Sequence, residues 1–397
     1  MASHSGAVRA SRRAGATEDR LTGGHPSVLI GMTVGALVLL GLIMILSASN
    51  VAAFAQYGSS FRFFTRQLVW AAAGLAAFAV CARIDYRRWR RASGPLLGIV
   101  LLLLLVVLVP GVGIAAGGSA RWLGAGPLQF QPSEVAKLAL VLFLADAYAR
   151  KKERGYGDFS YAMFPALPAI GLLALLIMLQ PDLGTTLLLG GIGFGILFAA
   201  AVPGRFLVPT IAAGGAAAAV AALIEPYRRA RVLAFLNPWE DPFNTGYHTI
   251  QSLIAVGSGG WFGVGLGASR QKWLYIPNAH TDFIFAIFAE ETGLVGSLVV
   301  IGMFAFLAYM GVRVARRAPD RFGMLVATGI TLWVSLQALV NMGAVTASMP
   351  VTGVPLPLVS FGGSSLVISL AAMGILVNIA YHGERARRER GSSRRGA

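Results

Sequence analysis

Ten continuous apolar stretches recur along the chain, near residues 28–47, 67–82, 95–110, 135–149, 162–179, 183–202, 206–224, 283–311, 323–346 and 362–382. A bilayer core of about 30 Å is crossed by about 20 apolar residues in helical form. Within each stretch the apolar character is unbroken rather than alternating, which predicts helices and not a membrane barrel. The pattern therefore predicts an all-α, polytopic membrane protein of about ten transmembrane helices. Between the seventh and eighth stretches lies a long segment, 225–282, that is rich in Gly, Pro, Asn and aromatic residues. Loops of this length are usually functional.

Composition agrees: of 397 residues, 56% are hydrophobic and only 13% charged, and the mean hydropathy is +0.68. A soluble domain this apolar lacks the polar residues to cover its surface. Glycine is abundant, with 49 residues, as close helix packing in lipid favours. The net charge of +16 first suggests nucleic acid, but the distribution of arginine and lysine answers otherwise. Basic residues cluster in the first tail (Arg9, Arg12, Arg13, Arg20) and after the second stretch (Arg83, Arg87, Arg88, Arg90, Arg91). They recur at Arg150, Lys151, Lys152 and Arg154, at Arg205, at Arg313, Arg316, Arg317 and Arg321, and in the last tail from Arg385 to Arg395. With both termini in the cytoplasm, every cytoplasmic segment is basic. The charge thus reports topology, and no nucleic-acid partner is expected. Residues 1–26 and 383–397 read as basic cytoplasmic tails flanking a membrane domain at 27–382. The first tail carries no secretory cleavage pattern. A single cysteine, Cys81, excludes an intramolecular disulfide framework and reads as packing.

Five groups of polar residues fall at the ends of stretches that this orientation places on the outer face. Arg121 and Trp122 precede Gln131-Pro132-Ser133-Glu134, where Glu134 and Lys137 share one helical face and can pair. That pair reads equally as a structural pin or as part of a polar cavity, because a lone lysine in an apolar span is costly. Gln180-Pro181-Asp182-Leu183-Gly184 is a tight turn in which Asp182 caps the next helix. Arg228, Arg229 and Arg231 break the positive-inside pattern, and arginine suits phosphate. The segment Gly265–Phe285 holds Lys272, His280 and Asp282. Asp282 stands where a span begins, either as a plain N-cap or as a carboxylate tuned toward a general base. Glu290 and Glu291, two turns further on, imply a polar interior or a structural pair. Met349–Ser365, with Ser360, holds prolines and glycines that forbid a regular helix, and reads as a broken or re-entrant segment supporting a cavity. Gly263-Val264-Gly265-Leu266-Gly267-Ala268 imitates a dinucleotide fingerprint but follows no βαβ unit.

These five groups, in this order, resemble the shape, elongation, division and sporulation family, which includes FtsW and RodA. The resemblance spans about residues 28–382. Gln271-Lys272-Trp273 and Met349-Pro350 resemble the FtsW branch, the branch of septal synthesis in cell division, more than the RodA branch of elongation. It implies a peptidoglycan glycosyltransferase that polymerises lipid II at the outer face of the inner membrane. In such enzymes the aspartate matching Asp282 activates the GlcNAc 4-hydroxyl of one lipid II. That hydroxyl attacks the MurNAc anomeric carbon of the lipid-linked glycan strand, with inversion and loss of undecaprenyl pyrophosphate. Arg231, Lys272 and Arg121 are the candidates to face the pyrophosphate. Glu134, Lys137, His280 and Ser360 are candidates to line the substrate site. A divalent cation (Mg or Mn) would suit the leaving group, although no ligand cluster marks a site for one. The partners implied are a class B penicillin-binding transpeptidase and other divisome or elongasome membrane proteins. A lipid II flippase and a division scaffold are the competing readings. A flippase calls for polar lining through the whole membrane, whereas a scaffold tolerates Asp282→Asn.

Overall fold

The computed structural model describes residues 25–116, 119–126, 128–273 and 279–393. Most of the first basic tail, Leu274–Asn278 of the long segment, and Arg394 and Arg395 lie outside the described residues.

Each apolar stretch becomes a helix. In chain order these are α1 (Pro26–Tyr57), α2 (Arg62–Arg83), α3 (Trp89–Val107), α4 (Pro132–Arg150), a short α5 (Phe159–Met163), α6 (Ala166–Met178), α7 (Leu183–Ala199) and α8 (Gly204–Ile224). The long segment holds α9 (Pro226–Leu236) and α10 (Tyr247–Ser258), and it is followed by α11 (Ile284–Arg317), α12 (Arg321–Val345) and α13 (Gly363–Ser393). Seven of these are long and apolar enough to cross a membrane, and α6 and α7 are shorter apolar helices. The tenth expected span is α4, nineteen residues long, which carries Glu134, Lys137 and Asp146 within its length.

Helix ends fall where the sequence provides for them. Pro26 opens α1, where the lost N–H would have been unpaired in any case, and Gly58 closes it in the left-handed conformation. Asp182 caps α7 by accepting from the Thr185 amide at 3.0 Å. Asp320 caps α12 through the Gly323 amide at 2.8 Å. Between α3 and α4 a small antiparallel sheet forms from Ile114–Ala116, Ser119–Ala125 and Leu128–Phe130. Two of its strands are only three residues long, too short for a periodic signal, so the all-α reading omits it.

At the centre is α12, which packs against α4, α7, α11 and α13 and buries Trp333 completely. Along α2 runs α13, with Cys81 buried against Gly374, so the lone cysteine is a packing residue. At one end of the bundle the basic segments meet their few acids. Asp146 pairs with Arg90 and Arg150, each at 2.6 Å, and Asp320 with Arg87 at 3.1 Å. The two ends of the described chain meet there as well, since Glu384 lies 2.8 Å from His25 and accepts from the Ser27 amide at 3.1 Å. An even number of crossings brings both ends to one side. The α13 helix runs on to Ser393, so the last basic segment continues the final span as helix.

Candidate active site

At the opposite end, three irregular pieces converge: the α6–α7 turn, the residues before α11, and the stretch between α12 and α13. The last is coil from Pro350 to Leu356 and turn from Pro357 to Phe361, yet Val354, Leu356, Leu358, Val359 and Ser360 are all buried. Non-helical backbone at this depth must have its hydrogen bonds satisfied from elsewhere. Gln337 of α12 donates to the Pro355 carbonyl at 2.9 Å, and Asn341 donates to Val354 at 2.9 Å. Gln67 of α2 takes the Gly362 amide at 3.3 Å, and the Phe361 amide donates to the His280 carbonyl at 3.0 Å. Ser360 ties the piece to the chain before α11. Its hydroxyl donates to the Thr281 carbonyl at 2.7 Å and accepts from the Leu356 amide at 2.9 Å. The broken, supported segment read from the prolines and glycines is present, with its supports in α2 and α12.

Asp282 sits where these pieces meet. Asn341 donates from the same amide to the Asp282 carbonyl at 2.8 Å, which fixes the residue by its backbone. A Cβ built on Gly353 would stand 3.6 Å from the carboxylate, so the irregular segment lies directly against it. The carboxylate is not a helix cap: the residue preceding α11 is Phe283, and no side chain caps that helix. Among the described residues, no hydrogen bond reaches the Asp282 carboxylate. It faces a cavity of about 370 Å³ whose walls include Arg231 of α9, His248 and Thr249 of α10, Phe283 and Val351. Burial pushes its pKa up to about 6, Arg231 and Arg121 pull it down, and Asp182 pushes it up. Near neutral pH the group is mostly ionised yet more basic than an ordinary carboxylate, as a proton acceptor should be.

The predicted cations separate. Arg231 lines the cavity and donates to the Val351 carbonyl at 3.4 Å. From the small sheet, Arg121 clamps the α6–α7 turn through the carbonyls of Gln180 at 2.8 Å and Pro181 at 2.6 Å, while its charge is still felt at Asp282. Lys272 does not line the cavity. It is buried, hydrogen-bonded to the Gly267 carbonyl and 3.7 Å from Glu291. A buried ammonium is stable only where a carboxylate and a carbonyl satisfy it, and those partners hold it beneath the loop. The expectation that Lys272 faces pyrophosphate is corrected accordingly.

His280 and Ser360 are likewise walls of the support rather than of the cavity. The His280 ring lies 4.5 Å from Phe63 and 5.4 Å from Phe361, and burial pushes its pKa down to about 4. Ser360 has both hydroxyl roles filled by backbone. Glu134 and Lys137 form a buried pair at 2.8 Å. Lys137 also donates to Gln337 at 2.9 Å and lies 5.0 Å from the Trp333 ring centre. Through Gln337 this pair braces Pro355, so it acts one layer behind the cavity.

Glu290 and Glu291 prove structural. Gly293, at φ 68° and ψ −165°, breaks α11 about two and a half turns into the helix. Into the break fits the glycine-rich loop: the Val264 and Gly265 amides donate to the carbonyls of Glu290 and Glu291 at 3.0 and 3.1 Å. A Cβ on Gly263 would lie 2.1 Å from the Glu291 carbonyl oxygen, and one on Gly293 would lie 2.4 Å from the Gly263 nitrogen. These glycines serve close backbone approach, not a nucleotide. Glu290 accepts from the Arg270 amide at 2.9 Å and from Ser269, which ties the loop to the span. Among the described residues, no group of three or more His, Cys, Asp or Glu could hold a metal ion.

Reading by sequence missed His248, Gln337 and Asn341. The last two carried a signal, since two amides four residues apart in an apolar span share one face and need partners. His248 sits in a mixed polar helix with no such signal.

The chain matches the FtsW/RodA/SpoVE family of cell cycle proteins over residues 27–385. It is 43% identical over 353 residues to "Probable peptidoglycan glycosyltransferase FtsW" of Geobacter metallireducens, covering 89% of this chain and 94% of that one. To stage V sporulation protein E of Bacillus subtilis it is 42% identical over 355 residues, covering 89% and 97%. Among solved structures, a chain from work on the coordination of polymerization and crosslinking by a peptidoglycan synthase complex aligns with a TM-score of 0.72 and 34% identity, over 89% of this chain and 97% of that one. Rod shape determining protein RodA of Thermus thermophilus aligns with a TM-score of 0.65 and 31% identity, over 89% and 95%.

Proposed function

This chain belongs to the FtsW/RodA/SpoVE family, and from that membership we propose that it is a peptidoglycan glycosyltransferase that polymerises lipid II, in septal synthesis, with Asp282 as the catalytic base. The observation that carries the reading is the Asp282 carboxylate. It is held by its backbone from Asn341, bare of hydrogen bonds among the described residues, raised in pKa to about 6 and open to a cavity that also holds an arginine.

The step has one proton to move. Asp282 takes it from the acceptor GlcNAc 4-hydroxyl as that oxygen bonds to the MurNAc anomeric carbon. The bond from that carbon to the pyrophosphate oxygen breaks, and the configuration inverts. Pyrophosphate departs as a stable anion without a proton, so one carboxylate suffices where inverting glycosidases use two. Arg231, with Arg121 behind it, supplies the positive potential that favours the departing charge. With the arginine-rich end in the cytoplasm, the cavity opens on the outer face of the inner membrane, and the polyprenyl tails remain in lipid. A class B penicillin-binding transpeptidase is the partner that would crosslink the product. The ionisable groups around Asp282 gather at one end of the bundle, which favours a polymerase over a flippase lined through its whole depth.

The test is polymerisation of purified lipid II by the protein with its cognate transpeptidase. Wild type is expected to make glycan, and Asp282→Asn to lose at least about a hundredfold, the lower range for a positioned base. The wild-type rate should rise with pH through about 6, as the carboxylate loses its proton. Equal product from both forms would remove the base assignment, whereas no product from wild type with its partner present would leave the flippase and scaffold readings.

A further inference from the structure

The cavity beside Asp282 has two kinds of wall. One side carries charge, from Asp282 and Arg231; the other is built by α10 and its approach and is neutral, with Thr245, His248 and Thr249. His248 lies flat against Phe283, the neighbour of Asp282, with ring centres 5.9 Å apart and planes 14° from parallel. That stacking fixes the ring relative to the base. Its Nδ1 is enclosed and has no hydrogen-bond partner among the described residues, and the ring itself lines the cavity, so the imidazole keeps hydrogen-bonding capacity there. Burial and the charge of Arg231 both push its pKa down, so at neutral pH the ring offers one donor and one acceptor rather than a cation.

We propose that His248 is a substrate-binding residue and that the neutral wall of this cavity receives the amino-sugar ring of the acceptor, the His248 imidazole hydrogen-bonding one of its hydroxyl or acetamido groups. The inference rests on the polymerase reading above and adds to it where the acceptor lies. The charge balance decides the ligand class. On the charged side one carboxylate and one guanidinium nearly cancel, and the wall that faces them is neutral, which suits an uncharged sugar there and leaves the departing pyrophosphate to the Arg231 side. A flat aromatic stack beside neutral hydrogen-bonding groups also suits a pyranose, with its apolar face and polar edge. The consequence for the reaction is positional: an acceptor sugar held at His248 sits against Phe283, one residue from the carboxylate that removes its proton.

Two substitutions separate hydrogen bonding from shape. His248→Phe preserves an aromatic ring against Phe283 and removes both nitrogens, while His248→Gln restores a donor and an acceptor. Each is made in the Asp282→Asn protein, so that equilibrium binding is read without turnover, in detergent with two probes: lipid II, and undecaprenyl pyrophosphate, which has no sugar. The expected result is about fivefold weaker lipid II binding for His248→Phe, the size of one net neutral hydrogen bond, with binding within about twofold of the parent for His248→Gln. Undecaprenyl pyrophosphate should bind all three forms alike. Unchanged lipid II binding by His248→Phe, equal losses in both variants, an equal loss with the sugar-free lipid, or no lipid II binding by the parent would each overturn the assignment. Polymerisation by the wild type is measured separately. If the wild type binds lipid II in a His248-dependent way but makes no glycan, the polymerase reading falls while the sugar site stands.

Discussion

Asp282 shows how one residue's role follows from what surrounds it. Placed at the mouth of a span, it could have capped a helix, which would have held its pKa low. Instead its carboxylate is left bare and half-buried, and its pKa rises from 3.8 to about 6. A carboxyl raised in the folded state fits that state best when protonated. Its contribution to stability is therefore fully present below pH 3.8 and is lost as pH rises through about 6. Asp282→Asn, which cannot ionise, is expected to unfold a few degrees higher than wild type at pH 7.5. The gap should close as pH falls toward 4, as measured by thermal unfolding in detergent. A mutant no more stable at pH 7.5 would mean that the carboxylate is not strained by its site. Asn341 carries the complementary prediction. One amide serves both the Asp282 and Val354 carbonyls, so Asn341→Leu orphans two buried acceptors at about 1–3 kcal/mol each. It should lower kcat more than it changes binding, because the base is displaced while the cavity walls stay.

At the scale of elements, the site is made of interruptions in helices. One break lies in α11 at Gly293 and another between α12 and α13, and each is clothed by other parts of the chain. The Gly293 break is filled by the backbone of the glycine-rich loop, so a methyl group there has nowhere to go. Gly293→Ala meets both a positive φ and the Gly263 nitrogen at 2.4 Å. It is expected to destabilise the protein by about 3 kcal/mol or more, seen as a large fall in the thermal midpoint together with lost polymerisation. The control is Gly94→Ala, where a built Cβ meets nothing within 4 Å; it should be silent. The break between α12 and α13 draws instead on side chains. Gln337, held by Lys137 and by the Trp333 ring N–H at 2.7 Å, supports Pro355. The Glu134–Lys137 pair thus stabilises backbone that a helix would have satisfied by itself.

Across the whole molecule, charge sorts by end. Arginine with compensating Asp146 and Asp320 gathers where the chain ends meet, and the Asp282 cavity lies at the far end. The proposed orientation predicts a labelling pattern. In a Cys81→Ala background, Thr245→Cys should react with a membrane-impermeant maleimide applied to spheroplasts, and Arg154→Cys should react only after lysis. The reverse pattern would place the cavity in the cytoplasm and end the polymerase reading, because the growing strand must be made outside.

Some of this was settled by the sequence alone. Unbroken apolar stretches of span length have one physical solution in lipid, so the ten helices could be read off with small errors at their ends. The arginine distribution supports the proposed facing, since charge is costly to move across a bilayer. Proline and glycine in Met349–Ser365 announced a broken segment because they cannot continue a helix. Which polar residues meet was beyond the sequence. Lys272 and His280 stood beside Asp282 in one motif and Ser360 in another, yet the fold turned the first toward Glu291, the second between Phe63 and Phe361, and the third onto backbone. His248, thirty-four positions away from Asp282, came into the cavity instead. Spacing along a chain fixes partners only within a helix turn; between helices, partners are chosen by the packing of α9, α10 and α12 around the break, and that packing exists only in the folded molecule.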